Sequence, residues 1–269
     1  MLLAIEVGNS NTVFGLYRLV EGSAGEQPGL VTTLRVTTPE NSTADEFGLQ
    51  MRSLFERRGL SLSEVTGIAI SSVVPPLDSL LRNFCDVYFK MKPLFIEPGV
   101  KTGLPVLTDN PTEVGADRIM NSIAAYERFK GPCIVVDMGT ATNFDVVSAK
   151  GEFLGGAIAP GLGISADALF SRAARLPRIE VKKPAKVIGT NTVDNIQIGL
   201  YYGYIGLVDG ILKQMLAEMP PETKVVGTGG LMRLIAGGSK YIREVDEMLT
   251  LNGLRIVYER HVERMKRRG

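Results

Sequence analysis

Residues 134–146 constrain the fold more than any other stretch, because an apolar run there ends in an acid and a tight polar turn. The run leads into Asp137, a turn containing Gly139 and Thr140 follows, and an extended segment resumes after Thr142. This order predicts a β-hairpin with an aspartate at the end of its first strand. Gly139 lets the backbone approach a ligand closely, and the hydroxyls and amides of Thr140 and Thr142 suit a phosphate.

A near-copy of this stretch begins the chain. Leu2 to Ile5 lead into Glu6, a small polar run containing Gly8 follows, and Val13 to Tyr17 form the second strand. A single glycine turn after a strand is more often only a turn. Two such hairpins in one chain predict two related lobes that face one nucleotide.

A third unit of strand, turn and helix lies near the C-terminus. Lys224 to Gly227 predict the strand, Thr228-Gly229-Gly230 the turn, and Leu231 the start of a helix. This unit resembles the adenosine-side loop of the actin-like sugar kinase superfamily. Glycine turns can hold a polyanion with their amides, and a nearby carboxylate can hold a divalent metal. The three units together therefore predict a nucleotide site.

Composition excludes several classes of function. The 269 residues are 45% hydrophobic and 22% charged with a net charge of +1, which is typical of a globular protein with a sizeable core. The chain has no excess of one charge that would indicate binding to nucleic acid or to a membrane surface. No apolar run reaches the roughly 18 residues that span a membrane. The first residues predict a strand without a basic leader, so we expect no signal peptide.

The cysteines and the single histidine narrow the chemistry further. Cys85 and Cys133 have no partner at a metal-like spacing, and we expect Cys133 to be buried in a reducing, cytoplasmic setting. His261 lies among charged residues near the C-terminus, which makes histidine triads and histidine-rich metal sites poor candidates. Catalysis is then expected to use carboxylates, lysines, hydroxyls or a bound metal.

Strands and helices alternate along the chain, which predicts α/β lobes with mixed sheets flanked by helices. We place the lobe boundary after a glycine- and proline-rich crossing segment, giving lobes 1–114 and 115–269, and expect a loop at 21–29. Ser165 is expected to cap a helix. A long helix is expected from Asn195 to about Met219. Its glycines are costly in a helix and predict close packing at residues 199, 203, 206 and 210.

A carboxylate and a guanidinium stand at the predicted start of the helix that follows Gly115. An anion or acceptor group is favoured there. Asp117 could accept a proton from an attacking hydroxyl, and Arg118 could hold a substrate carboxylate. The alternative is a helix-capping aspartate beside a surface arginine. Thr192 likewise either caps the long helix or reaches into a neighbouring site.

Taken in order, these motifs resemble type III pantothenate kinases over essentially the whole chain. The resemblance is carried by Val7-Gly8-Asn9, Ser71 to Pro76, Lys101-Thr102-Gly103, Asn110-Pro111, Gly115 to Arg118, Asp137 with Gly139 to Thr142, Gly155-Gly156, Pro160-Gly161, Leu176-Pro177, Asn191 to Val193, Tyr202-Gly203-Tyr204 and Thr228 to Gly230. It implies ATP-dependent phosphorylation of pantothenate at the entry to coenzyme A synthesis. It also implies an actin-like fold of two ribonuclease-H-like lobes, and a homodimer with the pantothenate pocket near the interface.

The resemblance implies a role for each matching residue. Asp117 is the base, and Asp137 holds a monovalent cation, K⁺ or NH₄⁺. The pantothenate contacts are Gly115, Ala116, Asp117, Arg118, Thr108 and Thr192, the last supplied by the dimer partner. The contacts to Mg²⁺-ATP are Glu6, Val7, Gly8, Asn9, Ser10, Asn11, Thr12, Val13, Thr140 and Gly229, with Glu6 also on the metal.

Several positions depart from the family pattern. Glu6 stands where an aspartate is usual, Ser10 and Asn143 each replace a threonine, and Thr108 replaces a tyrosine. The extra methylene of Glu6 displaces the carboxylate by about 1.5 Å, where roughly 1 Å can cost 10²-fold in rate. An alternative is therefore a weakly catalytic or non-catalytic accessory protein that binds ATP or pantothenate. The smaller Thr108 also leaves open a kinase for a different hydroxy acid.

Overall fold

The structure is a computed structural model that describes residues 1–19, 29–39 and 41–268. The loop expected at 21–29 lies outside the described residues except for Gly29. The strands are β1 (Leu2–Val7), β2 (Asn11–Tyr17), β3 (Leu30–Thr37), β4 (Gly67–Ser72), β5 (Leu94–Phe95), β6 (Cys133–Met138), β7 (Ala141–Val147), β8 (Phe153–Pro160), β9 (Lys224–Thr228) and β10 (Glu244–Val245). The helices are α1 (Ala44–Arg57), α2 (Asp78–Phe84), α3 (Ala116–Phe129), α4 (Leu162–Arg172), α5 (Thr192–Glu218), α6 (Met232–Ala236) and α7 (Leu249–Lys266).

The two predicted lobes appear as two five-stranded mixed sheets with the same plan. The first has the order β3-β2-β1-β4-β5, and the second β10-β9-β6-β7-β8. In each sheet an antiparallel hairpin continues into a third antiparallel strand. On its other side the first hairpin strand pairs in parallel with a later strand. The prediction of two related α/β lobes is therefore confirmed.

The first compact unit comprises residues 1–104, 109–124 and 249–269. One face of its sheet carries the apolar side chains of alternate residues, such as Ile5 and Phe14, which pack against Phe47 of α1 and Phe84 of α2. Helix α7 packs on β1 and β4. Burial of both faces explains why β1 is apolar throughout except at Glu6.

The second unit comprises residues 105–108 and 125–248. The central strands β6 and β7 pack against α4, α5 and α6 through residues such as Val136, Phe144 and Val208, all fully buried. Cys133 and Cys85 are both buried and free, as expected for Cys133.

The division into two compact units differs from the predicted boundary at 114/115, because residues 115–124 and 249–269 group with the first unit. The lobes 1–114 and 115–269 remain a prediction.

Several helix boundaries differ from the predicted ones. Helix α4 begins at Leu162 with Gly161 as its N-cap, and the Ser165 amide already donates to the Gly161 carbonyl at 3.0 Å. Ser165 therefore lies within the first turn and is not the cap. Helix α5 begins at Thr192, three residues earlier than predicted, because the Asn191 side chain accepts a hydrogen bond from the Asp194 amide.

The glycines of α5 do not pack closely within the chain. Gly199, Gly203, Gly206 and Gly210 are all exposed, and a Cβ built at any of them meets no described atom within 4 Å. Within the described residues of a single chain these glycines are therefore not closely packed, and close packing against a second chain stays a prediction. Among the helices of residues 1–19, 29–39 and 41–268, none has the length and apolar content that a bilayer crossing requires.

Candidate active site

The first unit carries a row of side chains across four strands, centred on Glu6. Glu6 is directly opposite Val13 of β2 and Ser71 of β4, and Val13 is opposite Arg35 of β3. Residues in direct register point to the same face of a sheet. This face is opposite the one that holds the apolar core, so strand alternation alone places Glu6, Ser71 and Arg35 on one side.

The turn of the first hairpin exposes its tip and buries its base. Asn9, Ser10 and Asn11 are exposed, and the Gly8 amide donates to the Asn11 carbonyl at 3.0 Å. The Thr12 hydroxyl is buried and bonds to Thr38 at 3.1 Å. Val7 and Val13 are buried within their strands. Any ligand contact from the buried residues would therefore come from their backbone.

The start of α3 lies in the same unit and holds Asp117. The Asp117 Oδ1 atom accepts a hydrogen bond from the Arg118 amide at 2.8 Å. A Cβ built at Gly115 would stand 2.6 Å from the same oxygen, so Gly115 leaves the space that the carboxylate occupies. Ala116, Asp117 and Arg118 are half-buried, as is expected of residues that line a site.

Helix α7 adds a threonine to this group. The Thr250 hydroxyl donates to Asn121 Oδ1 at 2.8 Å, and Thr250 acts to lower the pKa of Glu6. Thr250 is 4% exposed and Asn121 is fully buried. The site in this unit therefore combines β1, β4, α3 and α7, which are widely separated in sequence.

The two carboxylates of this group have raised pKa values. Burial raises the pKa of Glu6 to about 7, the negative charge of Asp117 raises it as well, and the charge of Arg35 and the Thr250 hydrogen bond oppose them. Burial also raises the pKa of Asp117, against the amide and the charge of Arg118. Two neighbouring acids with raised pKa values are typical of sites that hold a cation or move a proton.

The second unit holds Asp137 at the end of β6. Asp137 is directly opposite Asn143 of β7 and Thr228 of β9, so three oxygen-bearing side chains share one face. Gly229 follows Thr228 with a φ of +96°, a backbone conformation that favours glycine. A Cβ built at Gly230 meets no described atom within 4 Å, which leaves open space at this turn.

The two threonines of the central turn are in different surroundings. Thr140 is exposed, and its carbonyl is so close to Gly161 that a Cβ there would overlap it. Thr142 is fully buried, and its hydroxyl bonds to the hydroxyl of Tyr204. The expectation that the Thr142 hydroxyl suits a phosphate is therefore wrong, because the hydroxyl points into the core on the α5 side.

The remaining predicted residues are also in the second unit. Thr108 is half-buried, with its hydroxyl lacking a hydrogen-bond partner among the described residues, and a Cβ at Gly155 would contact its methyl group at 3.8 Å. Thr192 is exposed and is the first residue of α5. It does not cap the helix, because Asn191 does. Among the described residues of the second unit, no side-chain hydrogen bond links Thr108 with Thr192.

The donor sets fit the groups that the resemblance implies. Carboxylate, hydroxyl and carboxamide oxygens, the ligands that hard cations prefer, are present at Glu6 and Ser71 in one unit and at Asp137, Asn143 and Thr228 in the other. The Ser71 hydroxyl is buried with no hydrogen-bond partner in the described part of the chain.

The sequence did not indicate Arg35 and Thr250 as members of this group. Strand alternation could have indicated Arg35, but no local signal identifies Thr250.

The fold and the paired acid-and-glycine hairpins define a protein of the actin-like ATPase and sugar kinase fold. One solved structure of this kind is the activator of the 2-hydroxyisocaproyl-CoA dehydratase from Clostridium difficile with bound ADPNP. The match has a TM-score of 0.55 and 10% identity, and covers 99% of this chain and 97% of that chain. The likeness shows the fold.

Sequence comparisons identify the family. A sequence profile described as type III pantothenate kinase matches residues 2–214. A type III pantothenate kinase of Acidobacterium capsulatum is 62% identical over 96% of this chain and 94% of its own length. Another, from Koribacter versatilis, is 56% identical over 100% of this chain and 98% of its own length. The chain belongs to the type III pantothenate kinase family.

Proposed function

We propose that this chain phosphorylates pantothenate with ATP, the first step of coenzyme A synthesis, and that Asp117 is the base. Family membership supports the reaction. The observation that carries the catalytic assignment is the placement of the Asp117 carboxylate beside Glu6, at the ends of α3 and β1. The comparisons give no support to the non-catalytic accessory alternative.

Asp117 has the environment that a general base needs. It is held by the Arg118 amide, and burial raises its pKa towards neutral. A base whose pKa lies nearer the working pH accepts a proton more effectively in the transition state. In this reaction the proton comes from the primary hydroxyl of pantothenate, whose oxygen then attacks the γ-phosphate of ATP.

The substrate carboxylate is assigned to Arg118, because a guanidinium can bind a carboxylate through two parallel hydrogen bonds. Gly115 and Ala116 supply backbone beside the reacting hydroxyl. Thr108 would form part of the pantothenate wall, and its buried hydroxyl, which has no hydrogen-bond partner among the described residues, would be available to donate to the substrate. Thr192, exposed at the start of α5, would reach pantothenate bound by the partner subunit.

The phosphates of ATP are assigned to the glycine turns of each unit. In the first unit the residues are 6–13, whose exposed tip presents backbone amides and short polar side chains. In the second unit they are Thr140 and Gly229. Glu6 would hold Mg²⁺, and Asp137, between Asn143 and Thr228, would hold K⁺ or NH₄⁺. Mg²⁺, when bound, neutralises the charge that develops on the transferred phosphoryl group.

The active assembly is proposed to be a homodimer in the cytoplasm. The open glycine face of α5 supports a dimer, because glycines allow a second helix to approach closely. Large apolar residues of the same unit are also exposed, including Ile158 at 65% and Ile188 at 83%. Two buried free thiols fit a reducing compartment.

The decisive experiment is ATP-dependent phosphorylation of pantothenate by the purified protein. We expect turnover that requires Mg²⁺ and is stimulated by K⁺ or NH₄⁺ over Na⁺. A parallel panel of other hydroxy acids tests the pocket wall at Thr108, and we expect pantothenate to be preferred. A folded protein that binds ATP without turnover would contradict the proposal and favour the accessory role. Turnover with equal rates in Na⁺ and K⁺ would contradict only the assignment of Asp137.

A further inference from the structure

We propose that Thr38, the residue that follows β3, is a positioning residue that holds the turn of the first hairpin in the shape that binds phosphate. The turn comprises residues 8–12. The inference rests on the proposed function, in which this turn contacts the phosphates of ATP. Thr38 acts through the turn and not on the ligand itself. It adds a third strand to a site otherwise built from the first hairpin and α3.

The contact consists of three hydrogen bonds between Thr38 and the turn. The Thr38 hydroxyl donates to the Gly8 carbonyl at 2.6 Å and bonds to the Thr12 hydroxyl at 3.1 Å. The Thr38 amide donates to the Ser10 carbonyl at 3.1 Å. Thr38 is 7% exposed and Thr12 is 1% exposed. Little water can therefore reach the two hydroxyls, and losing either bond would leave a buried polar group unsatisfied.

The directions of the two hydroxyl hydrogen bonds follow from counting protons. A threonine hydroxyl has one proton, and Thr38 gives its proton to the Gly8 carbonyl, which can only accept. Thr12 must therefore donate its own proton to Thr38 Oγ1. The hydrogen bonds thus run from Thr12 through Thr38 to Gly8 and connect the two ends of the turn. A side chain without a hydroxyl at residue 38 would break both bonds.

These contacts orient the carbonyl groups of the turn. The carbonyls of Gly8 and Ser10 accept hydrogen bonds from Thr38, and the Asn11 carbonyl accepts one from the Gly8 amide at 3.0 Å. A carbonyl oxygen is partly negative and repels a phosphate, whereas backbone amides attract it. Thr38 holds two of these three carbonyls and so prevents them from turning towards a bound phosphate. The turn then needs less ordering when the nucleotide binds.

The local sequence restricts Thr38 to the conformation that these contacts need. Pro39 follows Thr38, and a residue before proline is largely confined to extended backbone. The branched side chain of threonine also has few allowed χ1 rotamers. Pro39 has no amide proton with which to continue the strand pairing. Together these restrictions leave Thr38 little freedom to move its hydroxyl away from the turn.

The test compares Thr38→Val, which removes the hydroxyl but keeps the branched shape, with Thr38→Ser, which keeps the hydroxyl. Calorimetry measures the Kd for a non-hydrolysable ATP analogue in the presence of Mg²⁺, and steady-state kinetics measure the KM values for ATP and pantothenate. We expect Thr38→Val to raise the Kd and the KM for ATP by about 10-fold, because two hydrogen bonds that shape the turn are lost. Thr38→Ser should restore both to within about 3-fold of the parent protein. The KM for pantothenate should not change in either variant.

The control for stability is Tyr17→Phe. It removes another buried hydrogen bond of β2, from Tyr17 to Asn252 Oδ1 at 3.1 Å, at the end of the strand away from the turn. It should lower the melting temperature without changing the Kd for the ATP analogue. Thr12→Val, in a Thr38→Val background, should weaken binding no further, because the hydrogen bond from Thr12 is already broken. If Thr38→Val does not fold, Thr38→Ala replaces it in the same comparison.

The outcomes separate this inference from the proposed function. Normal nucleotide binding in a folded Thr38→Val would overturn the positioning role, whether or not the parent protein phosphorylates pantothenate. Weaker nucleotide binding in Thr38→Val, with no pantothenate turnover by the parent protein, would support the positioning role and overturn the proposed reaction. A loss of affinity that Thr38→Ser does not restore, or an equal loss in Tyr17→Phe, would reduce Thr38 to a structural role and overturn the inference.

Discussion

Glu6 at the end of β1 and Asp117 at the start of α3 are near enough that the charge of Asp117 raises the pKa of Glu6. The two residues come from separate motifs, a glycine hairpin and a helix N-terminus. Their proximity brings the proposed metal ligand and the proposed base into one group. Because a bound cation would offset the repulsion of two neighbouring carboxylates, the arrangement favours the binding of a cation.

Asp117→Asn should reduce kcat by about 10²–10⁴-fold, because an amide cannot accept the hydroxyl proton. The side chain keeps its shape and can still accept the Arg118 amide. The Kd for ATP, measured by calorimetry, should therefore change by less than about 3-fold. Asp167→Asn, on the exposed side of α4, provides the control. Turnover close to that of the parent protein would remove Asp117 from the role of base.

Gly115→Ala should impair catalysis without unfolding the protein. The new Cβ would lie 2.6 Å from Asp117 Oδ1, so the carboxylate must move, and displacement by roughly 1 Å can cost 10²-fold in rate. Gly163→Ala on α4 is the matched control, since a Cβ there meets no described atom within 4 Å. Steady-state kinetics and a melting curve check both variants. Equal kcat values for the two would contradict the steric argument.

Glu6→Asp should lower the rate by about 10-fold, even though aspartate is the usual residue of the family at this position. The shorter side chain withdraws the carboxylate by about one bond length, roughly 1.5 Å, from the position that Glu6 occupies, and a displacement of roughly 1 Å can cost 10²-fold in rate. Initial rates over a Mg²⁺ titration measure the effect. A large increase in rate would instead mean that the native carboxylate is misplaced.

The stability of the metal-free protein should fall as the pH rises from about 4.5 to about 7. Over this window the unfolded chain releases the Glu6 proton while the folded chain, with its raised pKa, retains it. The folded state then binds more protons, so the free energy of unfolding falls with pH. The loss is at most about 3.5 kcal/mol, from about 1.4 kcal/mol per pKa unit.

Urea unfolding in EDTA at several pH values measures this effect. Glu6→Gln cannot titrate, so its stability relative to the parent protein should increase across the same window. Glu222→Gln, at an exposed turn, should follow the parent protein. A constant difference between Glu6→Gln and the parent protein from pH 4.5 to 8 would show that the Glu6 pKa is not raised.

Gly203→Leu should convert the proposed dimer into a monomer while leaving the chain folded. The position is exposed and open in the single chain, and replacing glycine within a helix gains about 1 kcal/mol in helix propensity. In a close helix-to-helix contact the same side chain would clash. Light scattering after size-exclusion chromatography measures the mass. Gln50→Leu on α1 is the control, and a dimer that survives Gly203→Leu would place the interface elsewhere.

The sequence by itself determined the local elements, because each depends on neighbouring residues. The apolar runs ending in Glu6 and Asp137 predicted the two hairpins, and both are confirmed. The helix beginning after Gly115 and the buried Cys133 were also correct. Two helix starts were predicted at the wrong residue, because several neighbouring residues could serve as the N-cap. Only the hydrogen bonds of the folded chain show that Gly161 and Asn191 are the N-caps.

Only the tertiary structure decided which distant residues meet. Thr250 reaches Asn121 because α7 returns to pack on β1 and because Gly253 lets it touch α3. Thr142, identical in chemistry to Thr140, is turned into the core by strand alternation and bonded to Tyr204. Which side chains meet depends on packing between elements that are far apart in the chain. A local pattern of residues does not show which distant elements pack together.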